Sequence, residues 1–454
     1  MNKMTLANIA SCLKSPVCNG EGKEHIEITG AVLDSRKVEP GYLFFATRGE
    51  RVDGHSFIPQ VAEKGAALVI CEKTPEVDIP YIIVPDSFVA LKEVAKFYRN
   101  QLTIPIIGVT GSVGKTSTKE MIAACLSSKF HVLKTEGNFN NEVGLPLTIL
   151  RIRKEHEVAV VEMGISDFGE MSRLAEMAKP DVCVITNIGI CHLENLKDRD
   201  GVLKAKTEVF DYLQENGRAI LNGDDDKLST VTEVCGRKPL FFGMSDSAEK
   251  DAVALDIQNK GLFGSDFTMR LFDEDVSVSV PLPGKHMVTN ALAAALVGKE
   301  LGMTTAQIVE GIASVKATVG RSNILKVSDK VIIDDCYNAN PISMRSAIDL
   351  LKMARGQKVA ILGDMFELGE NELALHREVG QYATMAMLDK MIFIGNLSKE
   401  MYEGAMKLHA TPEYYEDKET FFANHKPTDF KDTTVLAKAS HGMHFEEIVE
   451  WLKG

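Results

Sequence analysis

Ile104-Pro-Ile-Ile-Gly-Val-Thr-Gly-Ser-Val-Gly-Lys-Thr-Ser117 is the stretch on which the fold turns. An apolar run that reads as a buried strand enters a glycine-rich turn, and the turn opens a helix from Lys115 to about residue 128. Backbone N–H groups of such a turn point inward and the helix N-terminus adds partial positive charge, which together cradle polyphosphate. Thr110, Gly111, Ser112, Val113, Gly114, Lys115, Thr116 and Ser117 are therefore candidate nucleotide contacts. Lys115 would reach the terminal phosphates and the Thr116 hydroxyl would ligate Mg²⁺. The match to G-x-x-x-x-G-K-[ST] is one place off, with Gly108 early and Val109 where glycine is wanted. Gly111 supplies the extra backbone freedom instead. A chance Gly-Lys-Thr in a surface loop is common; the strand before it and the helix after it satisfy the context test.

Outward from this stretch, strands and helices alternate. Strands are expected at Ile106–Thr110, Val158–Met163, Val182–Thr186 and Ala219–Leu221, and helices at Phe168–Ala178 and Leu203–Glu215. Near-continuous apolar strands between helices imply a parallel sheet covered on both faces. Residues 253–282 alternate as antiparallel strands do, and a helix follows at Thr289–Leu301. After a loop-like patch at Ala317–Asn323, a third series has strands at Val331–Asp334, Val359–Leu362, Met391–Ile394 and Thr434–Ala437. Ahead of the cradle lie short strands (Ile26–Ile28, Tyr42–Ala46, Ala67–Cys71, Tyr81–Val84) and a helix over Phe88–Leu102 that stops before Pro105. The expectation is an α/β chain of three domains. Residues 1–103 form a small mixed N-terminal domain, 104–316 a central P-loop NTPase-like parallel-sheet domain, and 317–454 a C-terminal Rossmann-like domain.

Composition narrows the function. At 454 residues the chain is too long for one core. No apolar run reaches the ~18 residues of a membrane span, and the N-terminus lacks a signal pattern, so the cytoplasm is expected, without membrane insertion. The 8 cysteines are scattered singly with no C-x-x-C pair, which reads as reduced thiols rather than a disulfide framework or zinc site. A net charge of −13 argues against a nucleic-acid partner held by general electrostatics. Positive charge must then be concentrated locally, as at Lys115. A monomer is the expected state.

Several residues outside the cradle carry chemistry. Glu162 ends a strand of the same sheet, where ligands collect, and is a candidate Mg²⁺ contact; a capping or surface glutamate is the alternative. His192 follows the next strand and is a candidate metal ligand or a structural histidine. The loop Thr135–Leu147 crowds Asn138, Asn140 and Asn141 between glycines, suiting either a polar substrate or a plain turn. Asn290 offers the paired donor and acceptor that an adenine edge needs. Arg321 could stabilise charge on a transferred phosphoryl group or form a surface salt bridge. Asp335 and Asn338 end a strand where polar groups meet ligands. By spacing alone Lys206 is an ordinary helix-surface lysine.

Four stretches, Thr110–Ser117, Gly137-Asn-Phe-Asn-Asn-Glu-Val-Gly-Leu-Pro-Leu147, Asp335-Cys-Tyr-Asn-Ala-Asn-Pro341 and Gly363-Asp-Met-Phe-Glu-Leu-Gly369, resemble the Mur ligases over essentially the whole chain. The off-pattern Gly108 is that family's own form. The resemblance implies an ATP-dependent ligase joining D-alanyl-D-alanine to UDP-N-acetylmuramoyl-tripeptide, with two Mg²⁺ ions. The first domain would hold UDP, the middle one ATP, and the third would bring the dipeptide and close over ATP. It implies that Lys206 is carbamylated and, with Glu162 and His192, holds the second Mg²⁺; a lysine must be neutral to react with CO₂, and burial lowers its pKa. It further implies that Asn290 reads adenine, that Asp335 contacts nucleotide, and that Lys115, Glu162, His192, Lys206 and Arg321 are catalytic. Asp34, Ser35, Arg36 and Arg48 resemble the region that holds the UDP-sugar. His441 stands where members usually show arginine, and the hinge at Gly320-Arg321 lacks a usual proline. Two rival readings are another ligase of the superfamily, acting on a different amino acid or on folate, and a P-loop switch that hydrolyses nucleotide without ligation. The guanine-reading Asn-Lys-x-Asp of a GTPase does not occur.

Overall fold

The computed structural model describes residues 1, 3–49, 52–245, 250–317, 320 and 323–454. Two compact units divide the chain, one of residues 1–256, 268–278 and 289–314, the other of 257–267, 279–288 and 315–454.

The chain opens with a four-stranded parallel sheet, Gly30–Val32, Tyr42–Phe45, Leu68–Cys71 and Tyr81–Ile83 in that order. Side chains alternate between its faces. Leu43, Phe45, Leu68 and Ile70 enter one core, while Phe44, Val69 and Cys71 enter another. The strand expected at Ile26–Ile28 lies instead at Gly30–Val32. Glu27 makes only an isolated bridge to Thr5, whereas Gly30 has no side chain and lets the Tyr42 ring come within 2.5 Å of where a Cβ would stand. The following helix, Ser87–Arg99, is capped by Asp86, which accepts from Phe88 and Val89 N–H. At its far end the buried Arg99 guanidinium donates to the carbonyls of Ala178 (2.7 Å) and Lys179 (2.8 Å).

A nine-stranded sheet carries the cradle. In spatial order its strands are Glu274–Val280, Ser265–Leu271, Ala252–Asn259, Leu240–Gly243, Arg218–Asn222, Val182–Ile185, Ile106–Thr110, Val158–Glu162 and Val132–Lys134. All pairings from Ala252–Asn259 to Val132–Lys134 are parallel. Ile106–Thr110 lies between Val158–Glu162 and Val182–Ile185, the place where the chain's progress across the sheet reverses. In open α/β sheets that is where the ligand crevice opens, beyond the strands' carboxyl ends. The helix expected over Leu203–Glu215 is Arg199–Thr207 followed by a 3₁₀ turn, Glu208–Tyr212. The tightening accompanies a long-range cap: Glu208 accepts from Gly169 and Ser172 N–H, both at 3.0 Å, at the start of helix Glu170–Ala178.

In the second unit a six-stranded sheet runs Asn323–Val327, Lys330–Asp334, Thr433–Lys438, Gln357–Gly363, Lys390–Ile394 and Glu413–Tyr415. Its first pair is antiparallel and the rest are parallel. Ile333, Ala360, Leu362 and Leu436 face one core, and Ile332, Val359, Ile361 and Val435 the other. Both faces are therefore buried, as a parallel sheet requires.

Candidate active site

The cradle forms because Gly111 and Gly114 adopt positive φ, +148° and +81°. A Cβ on Gly111 would fall 1.9 Å from Thr186 Oγ1, so only glycine fits there. Gly108 is in mid-strand, where a Cβ would meet Met163 Cε at 2.5 Å; its role is packing, not loop flexibility. Gly114 precedes helix Lys115–Leu126. The loop is braced from the neighbouring strand's end. Ser112 N–H donates to Asn187 O at 3.1 Å, Val113 N–H to Asn187 Oδ1 at 3.1 Å, and Thr186 Oγ1 to Val113 O at 2.7 Å. Asn187 and Thr186 were not singled out from sequence as site residues; their adjacency to His192 was the available signal. Lys115 Nζ donates to Gly111 O at 3.0 Å, so its ammonium lies over the loop.

Glu162 is 2% exposed and both its oxygens are engaged. Thr116 Oγ1 donates to Oε2 at 2.9 Å and Asn140 Nδ2 to Oε1 at 2.8 Å. Lys119, missed from sequence, is 1% exposed and places its Nζ 3.8 Å from Glu162 Oε2 and 2.6 Å from Thr135 O. The structure thus joins phosphate loop, carboxylate and Asn-rich loop. Asn141 is used differently: its Oδ1 accepts from Gly144 N–H at 2.9 Å at the start of helix Gly144–Ile149. Lys115, Asn140, Asn141, Ser166 and His192 line one cleft of about 450 Å³ with Glu142 on its wall. His192 holds a left-handed backbone, φ +50°. The loop leading to it is clamped at Ile188, whose N–H goes to Asp225 Oδ2 and whose carbonyl takes the Arg199 Nε, both at 2.8 Å.

Lys206 is not a surface lysine. It is 1% exposed, and burial, with Lys115 adding repulsion, pushes its ammonium from 10.5 down to about 8. Cys191, beside His192, works against that shift and donates to Ser112 Oγ at 3.2 Å. Helix Arg199–Thr207 buries Val202, Ala205 and Lys206 on one face, a placement that spacing alone did not reveal.

Hard oxygen donors at Thr116 and Glu162, buried beside a phosphate cradle, fit Mg²⁺, which keeps water and phosphate as further ligands. Among the described residues no group of three or more His, Cys, Asp and Glu side chains suits a metal.

Other expected residues have local partners. Asn290 Oδ1 accepts from Thr118 Oγ1 at 2.8 Å, on the helix that follows the cradle. Asp34 is gripped by the Arg36 guanidinium at 2.8 and 2.9 Å, which holds its carboxyl down to about 2. Ser35 is buried and its carbonyl accepts from Lys64 Nζ. Arg48 reaches Glu72 at 3.4 Å, and the Asn138 carbonyl accepts from Asn140 N–H. In the second unit Asp335 pairs with the buried Lys438 at 2.6 Å, and the Asn338 carbonyl accepts from the same ammonium at 2.7 Å. Arg321 lies outside the described residues.

A phosphate loop on a parallel sheet, with a buried carboxylate on the adjacent strand, defines a P-loop nucleotide-binding enzyme. Family models place it more narrowly: the Mur ligase family catalytic domain matches residues 27–116, the Mur ligase middle domain 109–298, and the Mur ligase glutamate ligase domain 320–441. The chain belongs to the Mur ligase family. It is 37% identical to UDP-N-acetylmuramoyl-tripeptide–D-alanyl-D-alanine ligase of Bacillus subtilis (strain 168), covering 99% of this chain and 98% of that one. The Escherichia coli (strain K12) enzyme of the same name is 34% identical over 100% of this chain and 99% of its own. Among solved structures, MurF from Acinetobacter baumannii superposes with a TM-score of 0.88 at 31% identity, over 99% of this chain and 98% of that one. MurF ligase from Thermotoga maritima in complex with ADP gives 0.78 at 32% identity, over 93% and 97%. No helix among the described residues is long and apolar enough to cross a membrane.

Proposed function

We propose that this chain joins D-alanyl-D-alanine to UDP-N-acetylmuramoyl-tripeptide at the expense of ATP, yielding UDP-N-acetylmuramoyl-pentapeptide, ADP and phosphate for peptidoglycan. The observation that carries the reading is the single cleft into which Lys115, Asn140 and His192 converge beside Glu162. The tripeptide carboxylate attacks the γ-phosphorus, giving an acyl phosphate and ADP. The dipeptide amine then attacks the acyl carbon, and phosphate leaves as the amine loses a proton.

The protein's share is positioning and charge. Lys115 steadies the terminal phosphates, the Gly111–Gly114 amides hold the chain of phosphates, and Asn290 meets adenine. Thr116 and Glu162 would hold Mg²⁺, which would neutralise phosphate charge during transfer. Lys206, with its pKa down at about 8, keeps an appreciable neutral fraction near physiological pH. Its amine adds to CO₂, forming an N–C bond and releasing a proton, and the resulting carbamate would hold a second Mg²⁺ with Glu162 and His192. Arg321, Asp335 and Asn338 serve the nucleotide. Asp34, Ser35, Arg36 and Arg48 hold the UDP-sugar, and Asn138, Asn140 and Asn141 the peptide side. Residues 1–103, 104–316 and 317–454 divide the binding of UDP-substrate, ATP and dipeptide, in a monomer of the cytoplasm.

Phosphate release measured with and without UDP-N-acetylmuramoyl-tripeptide and D-alanyl-D-alanine tests the reading. Release is expected to depend on both, and release indifferent to either would sink it.

A further inference from the structure

Asn140 is stitched to the strand that ends in Glu162 by its side chain and by its backbone. Its Nδ2 donates to Glu162 Oε1 at 2.8 Å, and its carbonyl accepts from Gly164 N–H, also at 2.8 Å. A carboxylate only accepts, so the amide nitrogen must face Glu162. Gly164 permits the approach, since a Cβ there would come within 3.0 Å of the Asn140 amide. The other oxygen of Glu162 takes the Thr116 hydroxyl at 2.9 Å. A continuous line therefore runs from the cleft-lining loop, through Asn140 and Glu162, to the first turn of the helix after the phosphate cradle. Every link of it is buried or half-buried.

We propose that Asn140 is a positioning residue that couples the two ligand sites. A peptide substrate seated in the cleft fixes Asn140, which fixes Glu162 for Mg²⁺ and nucleotide; Mg-nucleotide seated on Thr116 and Glu162 fixes Asn140 in return. This rests on the substrate reading above and adds reciprocity to it, because a binding free energy coupled one way is coupled equally the other way.

Calorimetry measures the affinity of Mg·AMP-PNP with and without saturating UDP-N-acetylmuramoyl-tripeptide, and the converse, in the parent and in Asn140→Asp and Asn140→Ala. The near-isosteric aspartate sets a second carboxylate against Glu162 Oε1, so it breaks the link by like-charge repulsion and reports even where the alanine variant folds poorly. In the parent each ligand is expected to tighten the other by at least about fivefold, with the same factor in both directions. In both variants the factor falls toward one, beyond any weakening of the tripeptide's own affinity that the lost Asn140 contact brings. A parent factor of one, or an unchanged factor in the variants, overturns the coupling and leaves the substrate reading standing. A tripeptide that binds the parent under neither condition overturns both.

Discussion

Lys119 and Lys206, each 1% exposed, are kept in the first unit by different means. Lys119 has carboxylates near it, Glu120 at 3.2 Å and Glu162 at 3.8 Å, and a carbonyl at 2.6 Å. Replacing it by alanine leaves Glu162 buried without its cation, a change expected to cost about 3–5 kcal/mol; urea midpoints measure it. Lys206 instead faces the repulsion of Lys115. Lys206→Ala should lower turnover by about 10²-fold, the scale on which single charge-stabilising groups act, with partial rescue by added short carboxylates. Full activity without any carboxylate would refute the carbamate. Both lysines show where sequence stops being informative. A local pattern places them on helices, but the groups that surround them, Thr135 and Glu162 for Lys119 and Lys115 and Cys191 for Lys206, come from other segments of the chain. Asp34 supplies the pH test. Its folded pKa is depressed to about 2 from 3.8, so its pairing stabilises above about pH 4 and is lost as pH falls toward 2. Asp34→Asn should therefore lower the melting midpoint at pH 7 and lose that deficit progressively as the pH drops below 4.

At the scale of elements, backbone proximity sets the tolerance to change. Helices Glu372–Met385 and Ser398–Met406 meet through reciprocal glycines. A Cβ at Gly380 would fall 1.9 Å from Met401 O, and one at Gly404 would fall 2.4 Å from Arg377 O. Neither carbonyl can retreat without moving a helix, so Gly380→Ala is expected to destabilise by about 1–3 kcal/mol, read from chemical denaturation. The central strands at Ile106–Thr110, Val158–Glu162 and Val182–Ile185 were legible because their apolar runs are continuous and bounded by turn residues. Gly30–Val32 was not, since its pairing depends on the Tyr42 ring lying across Gly30, a contact no periodicity reports. The end of the helix at Thr207 was hidden for a similar reason: Glu208 caps a helix that begins some forty residues earlier in the chain.

For the whole molecule, a formal charge of −13 surrounds a site that must gather anionic nucleotide and peptide. On the proposed reading their binding falls to local groups, chiefly Lys115 and the loop amides, with Mg²⁺. If the acyl phosphate forms before the dipeptide is used, hydroxylamine added with ATP and UDP-N-acetylmuramoyl-tripeptide should yield a hydroxamate with the dipeptide absent. Mass spectrometry detects it, and none forming would place dipeptide binding ahead of phosphoryl transfer. The cradle and the three-part α/β order were readable because each depends on short contiguous motifs. The substrate was readable only through resemblance, since nothing in the Asn-rich loop itself spells a sugar or a peptide. Glu162 illustrates what a parallel sheet demands of such chemistry. It stands opposite Val109, one residue before the cradle begins, and its neighbours Val161 and Met163 are apolar. A slip of one residue turns every side chain to the other face. Anyone transplanting this apparatus to another scaffold, or trimming this one, must therefore conserve strand phase as strictly as residue identity, because a one-residue deletion within Val158–Glu162 would delete the carboxylate from the crevice while leaving it in the chain.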